Sequence, residues 1–493
     1  MTGQSKRFKN QGYTIPKQFL EVENKTIIEH IVDMYPGEED INFIINKDHL
    51  ENKKLKSYFE SLSKFNLVSI DYQRSGPGGA ILESDLLETD DEVVINYCDF
   101  ANIWDWQDFK NYIKTFKPDG IIPVYKGLHP HSIYGNDYAF LKVQNNKVID
   151  IKEKESFTSD KMNEPTSTGA YYFQNGFLAK KYIQKSFELK KFINNEIYIS
   201  TAYQDMIKDK LNVMPYYVEN FFQWGTPEDF EEFIYSLKEV KNIQNKDKIN
   251  LDKLNLVIPA AGESKRFKEK NYKISKIYLD LNGDSIINTI LNCFKNDIYR
   301  KILIRSNDLD DSTRKENKNI YHEIQGATNG QAESTLKLIE KIDNSRPVLI
   351  HSADCILDKK TNMNIEDSDI VIFTKKNYRR SIGKENQYGW VTSKEGTVFE
   401  INIKEKPYST DANIIMGIFL FKDVDTYIDL YNKTTNRLPN YKDLHIDFLI
   451  ETALGEGMKV KEVFSEESLI IGTPLEYEIY KYMLKAYQYL VKK

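Results

Sequence analysis

The feature that most restricts how this chain can fold is a repeat within it. The run Gly3-Gln4-Ser5-Lys6-Arg7-Phe8 recurs as Gly262-Glu263-Ser264-Lys265-Arg266-Phe267, and in both copies a lysine follows fourteen positions after the glycine, Lys17 and Lys276, at an offset of 259. Further on, Gly78-Gly79-Ala80 is matched by Gly330-Gln331-Ala332, Asp99 by Asp354, Glu153-Lys154 by Glu405-Lys406, Gly169 by Gly417, and Gly225-Thr226-Pro227 by Gly472-Thr473-Pro474, at offsets of 252, 255, 252, 248 and 247. Matches in one order with so slow a drift mark a duplicated domain. A chain of 493 residues has room for two. The expected division is residues 1–240, a linker at 241–253 and residues 254–493. The seam falls in the polar stretch Lys238 to Lys253, before Leu254 opens a new apolar run.

Within each half, short β-branched runs alternate with amphipathic ones. In the second half, strands are expected at Leu254–Pro259, Lys301–Arg305 and Pro347–His351, and helices at Ser285–Phe294 and Ala332–Ile342. This alternation predicts an α/β fold with mostly parallel central sheets, whose ligands bind beyond the carboxyl ends of the strands. The first half shows no counterpart of Leu254–Pro259, because Met1 stands where the second half has Ala260. A first half without that strand is expected to be unstable or inactive, unless the true start lies upstream; the alternative is a half that has decayed into a support.

Composition narrows the function classes. The formal charge of -6, with lysines balanced by acids, leaves no basic footprint for nucleic acid. No apolar run approaches the roughly 18 residues that span a bilayer, and the N-terminus lacks a signal-peptide pattern, so no membrane partner and a cytoplasmic location are expected. Cys98, Cys293 and Cys355 form no CxxC pair and read as reduced thiols. His129-Pro130-His131 lacks the carboxylate or cysteine that would complete a metal set and reads as a loop near the acceptor pocket. Tyr171-Tyr172-Phe173 and Phe221-Phe222 read as packing.

The loops Gly3-Gln4-Ser5 and Gly262-Glu263-Ser264 can bring backbone N–H groups to phosphate oxygens, since glycine puts no side chain in the way. Each is followed by cations, Arg7 and Lys17 in one half, Arg266 and Lys276 in the other. Such charge gathered around one loop is costly unless a polyanion such as a triphosphate offsets it. Neither loop is a Walker A or a dinucleotide fingerprint. Asp99 and Asp354 each follow an apolar strand and are placed to hold Mg²⁺, with the capping of the next turn as the plainer alternative.

Taken together, both halves resemble the sugar-phosphate nucleotidylyltransferases. The shared pattern is the loop ending in Arg-Phe, Pro16-Lys17-Gln18-Phe19-Leu20 or Ser275-Lys276-Ile277-Tyr278-Leu279, a Gly-x-Ala helix start, the aspartate, the Glu-Lys pair, a glycine opening a strand, and a late Gly-Thr-Pro. The resemblance spans nearly the whole chain. It implies two tandem Rossmann-like domains of GT-A type that transfer an NMP from an NTP to a phosphorylated acceptor and release pyrophosphate, as in the making of surface polysaccharide precursors. It further implies that Arg7 and Arg266 hold the leaving phosphates, that Lys17 and Lys276 neutralise the transferring group, and that Asp99 and Asp354 carry Mg²⁺. Gly3, Gln4, Ser5, Gly78 and Gly79, with Gly262, Glu263, Ser264, Gly330 and Gln331, would line the nucleotide. Glu153, Lys154, Gly169, Glu405, Lys406 and Gly417 would meet the acceptor. Two departures stand out: Gln223 and Ile470 occupy the place of the family's second metal-binding aspartate, and Ser275 replaces a proline.

Three alternatives stay open. A glycosyltransferase of related fold would need a DxD after its central strand, which Asp308-Leu309-Asp310 and Asp423-Val424-Asp425 do not supply. A regulatory or scaffolding protein would bind nucleotide in one half, or both, without turnover, against which the retained Arg, Lys and Asp of both halves speak. The acceptor could be a phosphocholine-like or polyol phosphate.

Overall fold

The computed structural model describes residues 1–492 except 63–64, 72–74, 250–253, 296–297, 310–319, 343, 345, 363–366 and 377–378. It divides into two compact units, Met1–Ile234 with Lys485–Lys493, and Tyr235–Leu484. Residues 238–244 of the expected seam are helical, as part of Pro227–Gln244, while 250–253 of the expected linker and Asp310 lie outside the described residues.

In the first unit the β-branched and aromatic runs form β1 (Asn42–Asn46), β2 (Asn66–Ile70), β3 (Val93–Asn96), β4 (Phe100–Ile103), β5 (Gly120–Tyr125), β6 (Ala139–Gln144), β7 (Lys147–Glu153), β8 (Thr166–Ser167), β9 (Ala170–Phe173), β10 (Val213–Tyr217) and β11 (Asn220–Gln223). Seven of these make one sheet in the order β3-β9-β5-β8-β6-β7, with β10 parallel against β5. Every other pairing in it is antiparallel. All six residues of β5 and all four of β9 are buried. Helices Gly176–Glu188 and Ser200–Lys208 pack on the sheet through Ala179, Ile183, Ala202 and Met206.

The second unit builds β12 (Asn255–Pro259), β13 (Tyr299–Arg305), β14 (Tyr321–Ile324), β15 (Val348–His351), β16 (Cys355–Ile356), β17 (Ile370–Lys375), β18 (Gly389–Lys394), β19 (Thr397–Ile403), β20 (Asn413–Phe421), β21 (Val460–Phe464) and β22 (Leu469–Ile470). Its nine-stranded sheet runs β14-β13-β12-β15-β20-β17-β21-β19-β18. The strands from β14 to β15 are parallel, and β20 then enters antiparallel to both its neighbours. The strands and helices expected for this half all form within a few residues of their expected ends, including Ile286–Asn292 and Gln331–Ile339.

The α/β class agrees with the sequence, but the expectation of mostly parallel sheets is corrected: the first unit's sheet is mostly antiparallel and the second's is mixed. The reason is physical. A strand buried on both faces is a continuous apolar run whichever way its neighbours point, so β9 and β20 carry no mark of direction. The units also differ at one place. In the second, β12 stands between β13 and β15 and pairs parallel with both. Among the described residues of the first, no strand stands between β1 and β3, and β1–β2 remain a separate two-stranded parallel sheet. Among the described residues no helix is long and apolar enough to cross a membrane.

Candidate active site

In each unit a short helix follows the glycine-bearing loop, Lys6–Asn10 or Lys265–Glu269, and one buried phenylalanine pins it, Phe8 or Phe267. Ser5 and Ser264 precede these helices in the left-handed region, at φ 50° and 52°. The turn aims each serine hydroxyl at the next element: it accepts the backbone N–H of Lys17 at 3.5 Å and of Lys276 at 3.2 Å. Pro16 and Ser275 share nearly one conformation, φ -62° and -60°, so the serine keeps the geometry that proline would fix. Gly3 and Gly262 face open space, where an added Cβ meets nothing within 4 Å.

The lysine so positioned reaches the aspartate beyond the central strand. Lys17 Nζ lies 2.6 Å from Asp99 Oδ2, and Lys276 pairs with Asp354. Burial pushes the Lys17 ammonium down, Asp99 pushes it up, and the net shift is upward. Burial and then Arg266 push Lys276 down to about 8, while its contact with Asp354 favours the charged form. The backbone is fastened behind the aspartate in the same way twice: Trp224 N–H donates to Asp99 O at 2.9 Å, and Ile471 N–H to Asp354 O at 2.7 Å. A Cβ on Gly225 would come within 2.9 Å of Asp99 Oδ2, so the late glycine admits the carboxylate. Gln223 turns to Asp229 at 3.0 Å and supplies no acid. Among the described residues no three His, Cys, Asp or Glu side chains form a metal cluster. A magnesium ion held by one carboxylate, waters and substrate phosphates is the kind of site these residues fit.

Arg7 and Arg266 are exposed, and each lies within electrostatic reach of its lysine. Arg266 opens onto a cavity of about 260 Å³ that also bears Lys270, Arg380, Lys384 and the acids Glu269 and Glu476. Glu263 is paired with Lys265 at 2.9 Å and with Arg305 at 3.7 Å, so its carboxylate is committed to cations.

The helix-start glycines need re-registering. Ile197 N–H donates to Ser75 O at 2.8 Å, as Leu444 N–H does to Asn329 O at 3.0 Å; Gly78 N–H donates to Ile197 O at 2.9 Å, as Ala332 N–H does to Leu444 O at 2.9 Å. The counterpart of Gly330 is therefore Gly76, and Gly78 matches Ala332; Gly79 follows inside the helix. Both Gly76 and Gly330 have positive φ, 77° and 97°, and a Cβ on Gly330 would stand 2.3 Å from Leu444 N. Gln331 follows it, its amide 4.0 Å from where a Cβ on Gly417 would stand.

The Glu-Lys pairing is corrected in the same manner. Lys154 and Lys404 both sit at positive φ, 57° and 55°, and donate their N–H groups to Tyr138 O at 3.0 Å and Tyr388 O at 3.1 Å. Lys404, not Lys406, is the counterpart of Lys154; Glu405 and Lys406 lie exposed beyond the hairpin. Glu153 is half-buried and accepts from Ser200 Oγ at 2.6 Å; burial raises it to about 7 against the pull of Ser200 and Lys154. Gly169 and Gly417 occupy matching places, their carbonyls accepting from Tyr97 N–H at 3.1 Å and Ser352 N–H at 3.0 Å. His129 and His131 are buried beside the stacked Tyr125 and Phe221 rings, and His131 Nε2 is 2.8 Å from the Tyr125 hydroxyl. Burial lowers His129 to about 4, and both rings are packed against Tyr125 and Phe221.

No protein-family model matches the sequence, and no curated protein matches it. Solved structures similar to it include a nucleoside-diphosphate-sugar pyrophosphorylase from Vibrio cholerae RC9, at 20% identity over 47% of this chain and 99% of that chain, with a TM-score of 0.40. An inositol-1-phosphate CTP transferase from T. maritima is similar at 14% identity over 48% of this chain and 96% of that chain, TM-score 0.37. A UTP-bound UGPase from Acinetobacter baumannii is similar at 16% identity over 47% and 88%, TM-score 0.36.

Proposed function

We propose that the chain is a tandem nucleotidylyltransferase, each unit transferring an NMP from an NTP to a phosphorylated small-molecule acceptor. The observation that carries this reading is that loop serine, lysine and strand-end aspartate converge twice, with Lys17 and Asp99 in contact in the first unit and Lys276 and Asp354 in the second. An oxygen of the acceptor phosphate forms a bond to the α-phosphorus, the bond from that phosphorus to the bridging oxygen breaks, and pyrophosphate leaves with the electron pair. Phosphoryl-type transfer needs positioning and charge compensation more than covalent help. The Ser5 and Ser264 turns present the open loop backbones to the phosphates. Lys17 and Lys276 compensate charge on the transferring group, and Arg7 and Arg266 hold the departing phosphates, the latter aided by the cations of its cavity. Asp99 and Asp354 would hold Mg²⁺, which supplies further charge neutralisation. Lys154 and Lys404 face the acceptor phosphate. An activated sugar or polyol for a surface polysaccharide is the product class that this reading favours.

One observation favours a second reading, in which a single unit turns over: the first unit's sheet is interrupted where β12 completes the second's. The test of both is pyrophosphate release from a panel of NTPs and phosphorylated acceptors, with and without Mg²⁺, in the parent chain, in Lys17→Met and in Lys276→Met. Turnover lost in both single variants would contradict independent sites; turnover lost only in Lys276→Met would assign it to the second unit.

A further inference from the structure

Near the acceptor lysine each unit keeps a half-buried carboxylate, but draws it from a different place in the chain. In the first unit it is Glu153, at the end of β7, and Ser200 at the start of helix Ser200–Lys208 donates to it at 2.6 Å. In the second unit the hairpin register puts Ile403 where Glu153 stands: Glu153 pairs across the hairpin with Ala139, and Ile403 with Gly389. The matching hydrogen bonds of Ile197 and Leu444 put Asp447, first residue of helix Asp447–Gly455, where Ser200 stands. Glutamate with serine has become isoleucine with aspartate. A third change accompanies these two. Ala139 is replaced by Gly389, and a Cβ there would lie 2.8 Å from Asp447 Oδ2, so the smaller residue makes the room that the carboxylate occupies.

The exchange preserves the acid and loses its donor. Lys154 donates to the Tyr198 hydroxyl at 2.8 Å, and Lys404 lies 2.6 Å from His445 Nε2, so the lysine end of the site is kept in both units. Among the described residues no hydrogen bond reaches the Asp447 carboxylate, whereas Glu153 has that of Ser200. Burial raises Asp447 to about 6, with Lys404 pulling the other way. A half-buried carboxylate to which no protein group donates has only water or a ligand as its partner, and three linked substitutions that retain it point to a donor that arrives with a ligand. Lys404 nearby disfavours a cationic group and suits a neutral hydroxyl on a molecule whose phosphate the lysine can hold.

We propose that Asp447 determines the acceptor of the second unit by accepting a hydrogen bond from a hydroxyl of a sugar or polyol phosphate. This rests on the nucleotidylyl-transfer reading. The test uses the full chain with the first unit silenced by Lys17→Met and Asp99→Asn, and follows pyrophosphate release with glucose 1-phosphate, glycerol 3-phosphate or phosphocholine as acceptor. In Asp447→Asn the KM for a hydroxyl-bearing acceptor rises at least tenfold, the KM for NTP stays within twofold, and any turnover of phosphocholine, which has no hydroxyl on its carbon chain, is unchanged. The triple variant Ile403→Glu, Asp447→Ser, Gly389→Ala installs the first unit's arrangement and recovers acceptor KM to within threefold. An unchanged acceptor KM in Asp447→Asn, with the parent active, overturns the role of Asp447 and leaves the transfer reading standing. A parent that neither turns over nor binds any of the three acceptors overturns both.

Discussion

Replacing Glu239 by glutamine tests how the second unit holds the cation-rich wall of its cavity. Glu239 serves two cations at once: Lys375 Nζ lies 2.5 Å from one carboxylate oxygen and Arg380 Nη2 2.9 Å from the other, with side-chain exposures of 4%, 0% and 3% in that order. Burial alone would raise the Glu239 carboxyl, but Lys375 and Arg380 outweigh it and hold it below its ordinary value. Glutamine keeps the shape and removes the one negative charge that both buried cations touch. Removing one partner of a buried pair costs about 3–5 kcal/mol, a large part of a typical total stability of about 5–15 kcal/mol. Urea unfolding of the full chain at pH 7, followed by intrinsic fluorescence, should show this loss in the transition of the second unit. Adding Lys375→Met to Glu239→Gln should recover at least about 1 kcal/mol, because one of the two buried cations goes with it. The pH sign follows from the depressed carboxyl: its contribution is complete above the unfolded value near 4.5 and is lost as pH falls through the lower folded value. Parent and variant should therefore differ most at neutral pH and converge below about pH 4.5. A loss under about 1 kcal/mol at pH 7 would refute the claim that this carboxylate holds the wall together.

Asp354→Asn, in a chain whose first unit is silenced, should lower turnover by at least about 100-fold with the melting temperature nearly unchanged, read by pyrophosphate release and differential scanning calorimetry. Gly330→Ala should cost about 2–4 kcal/mol in urea unfolding, because its positive φ and the backbone of Leu444 leave a methyl no room; a neutral effect would contradict that close approach. In the first unit, with Lys154 and Asp137 as its charged neighbours, Glu153 is raised to about 7 by burial. Acceptor binding that uses its charged form should weaken as pH falls through about 7, and Glu153→Gln should flatten that dependence of KM.

How much of this could be read from the letters depends on the kind of constraint. The loop glycines, Lys17, Lys276, Asp99 and Asp354 stood out in the letters because charge and backbone freedom repeated at one spacing leave few residue choices, and the fold brings each lysine to its aspartate; the phosphate and metal roles read for them remain part of the proposal. Strand positions in the second unit were legible for the same reason that their direction was not, since burial on both faces erases alternation. Two registers slipped by two residues. Glu-Lys occurs at 153–154 and again at 405–406, and Gly-Gly-Ala looks like Gly-Gln-Ala, so identity favoured the wrong partners. Hydrogen bonds to Tyr138 O, Tyr388 O, Ser75 O and Asn329 O decide the matter, and those are set by turns that short patterns do not record. Asp447 carried no motif at all, because its meaning lies in Ile403 and Gly389, distant in sequence and adjacent in the fold.

The lysine–aspartate contact in each unit has a thermodynamic consequence. Under the transfer reading, Lys17 spends on Asp99 part of the charge that a phosphate would receive, and the ammonium occupies Asp99 Oδ2, where a cation would bind. A triphosphate that draws the ammonium away frees the carboxylate, and whatever the carboxylate then binds frees the ammonium for the triphosphate. By linkage the two affinities must rise together and by the same factor. Under that reading the free protein fills the places of both ligands with an internal counter-ion pair, and their joint arrival exchanges one ion pair for two.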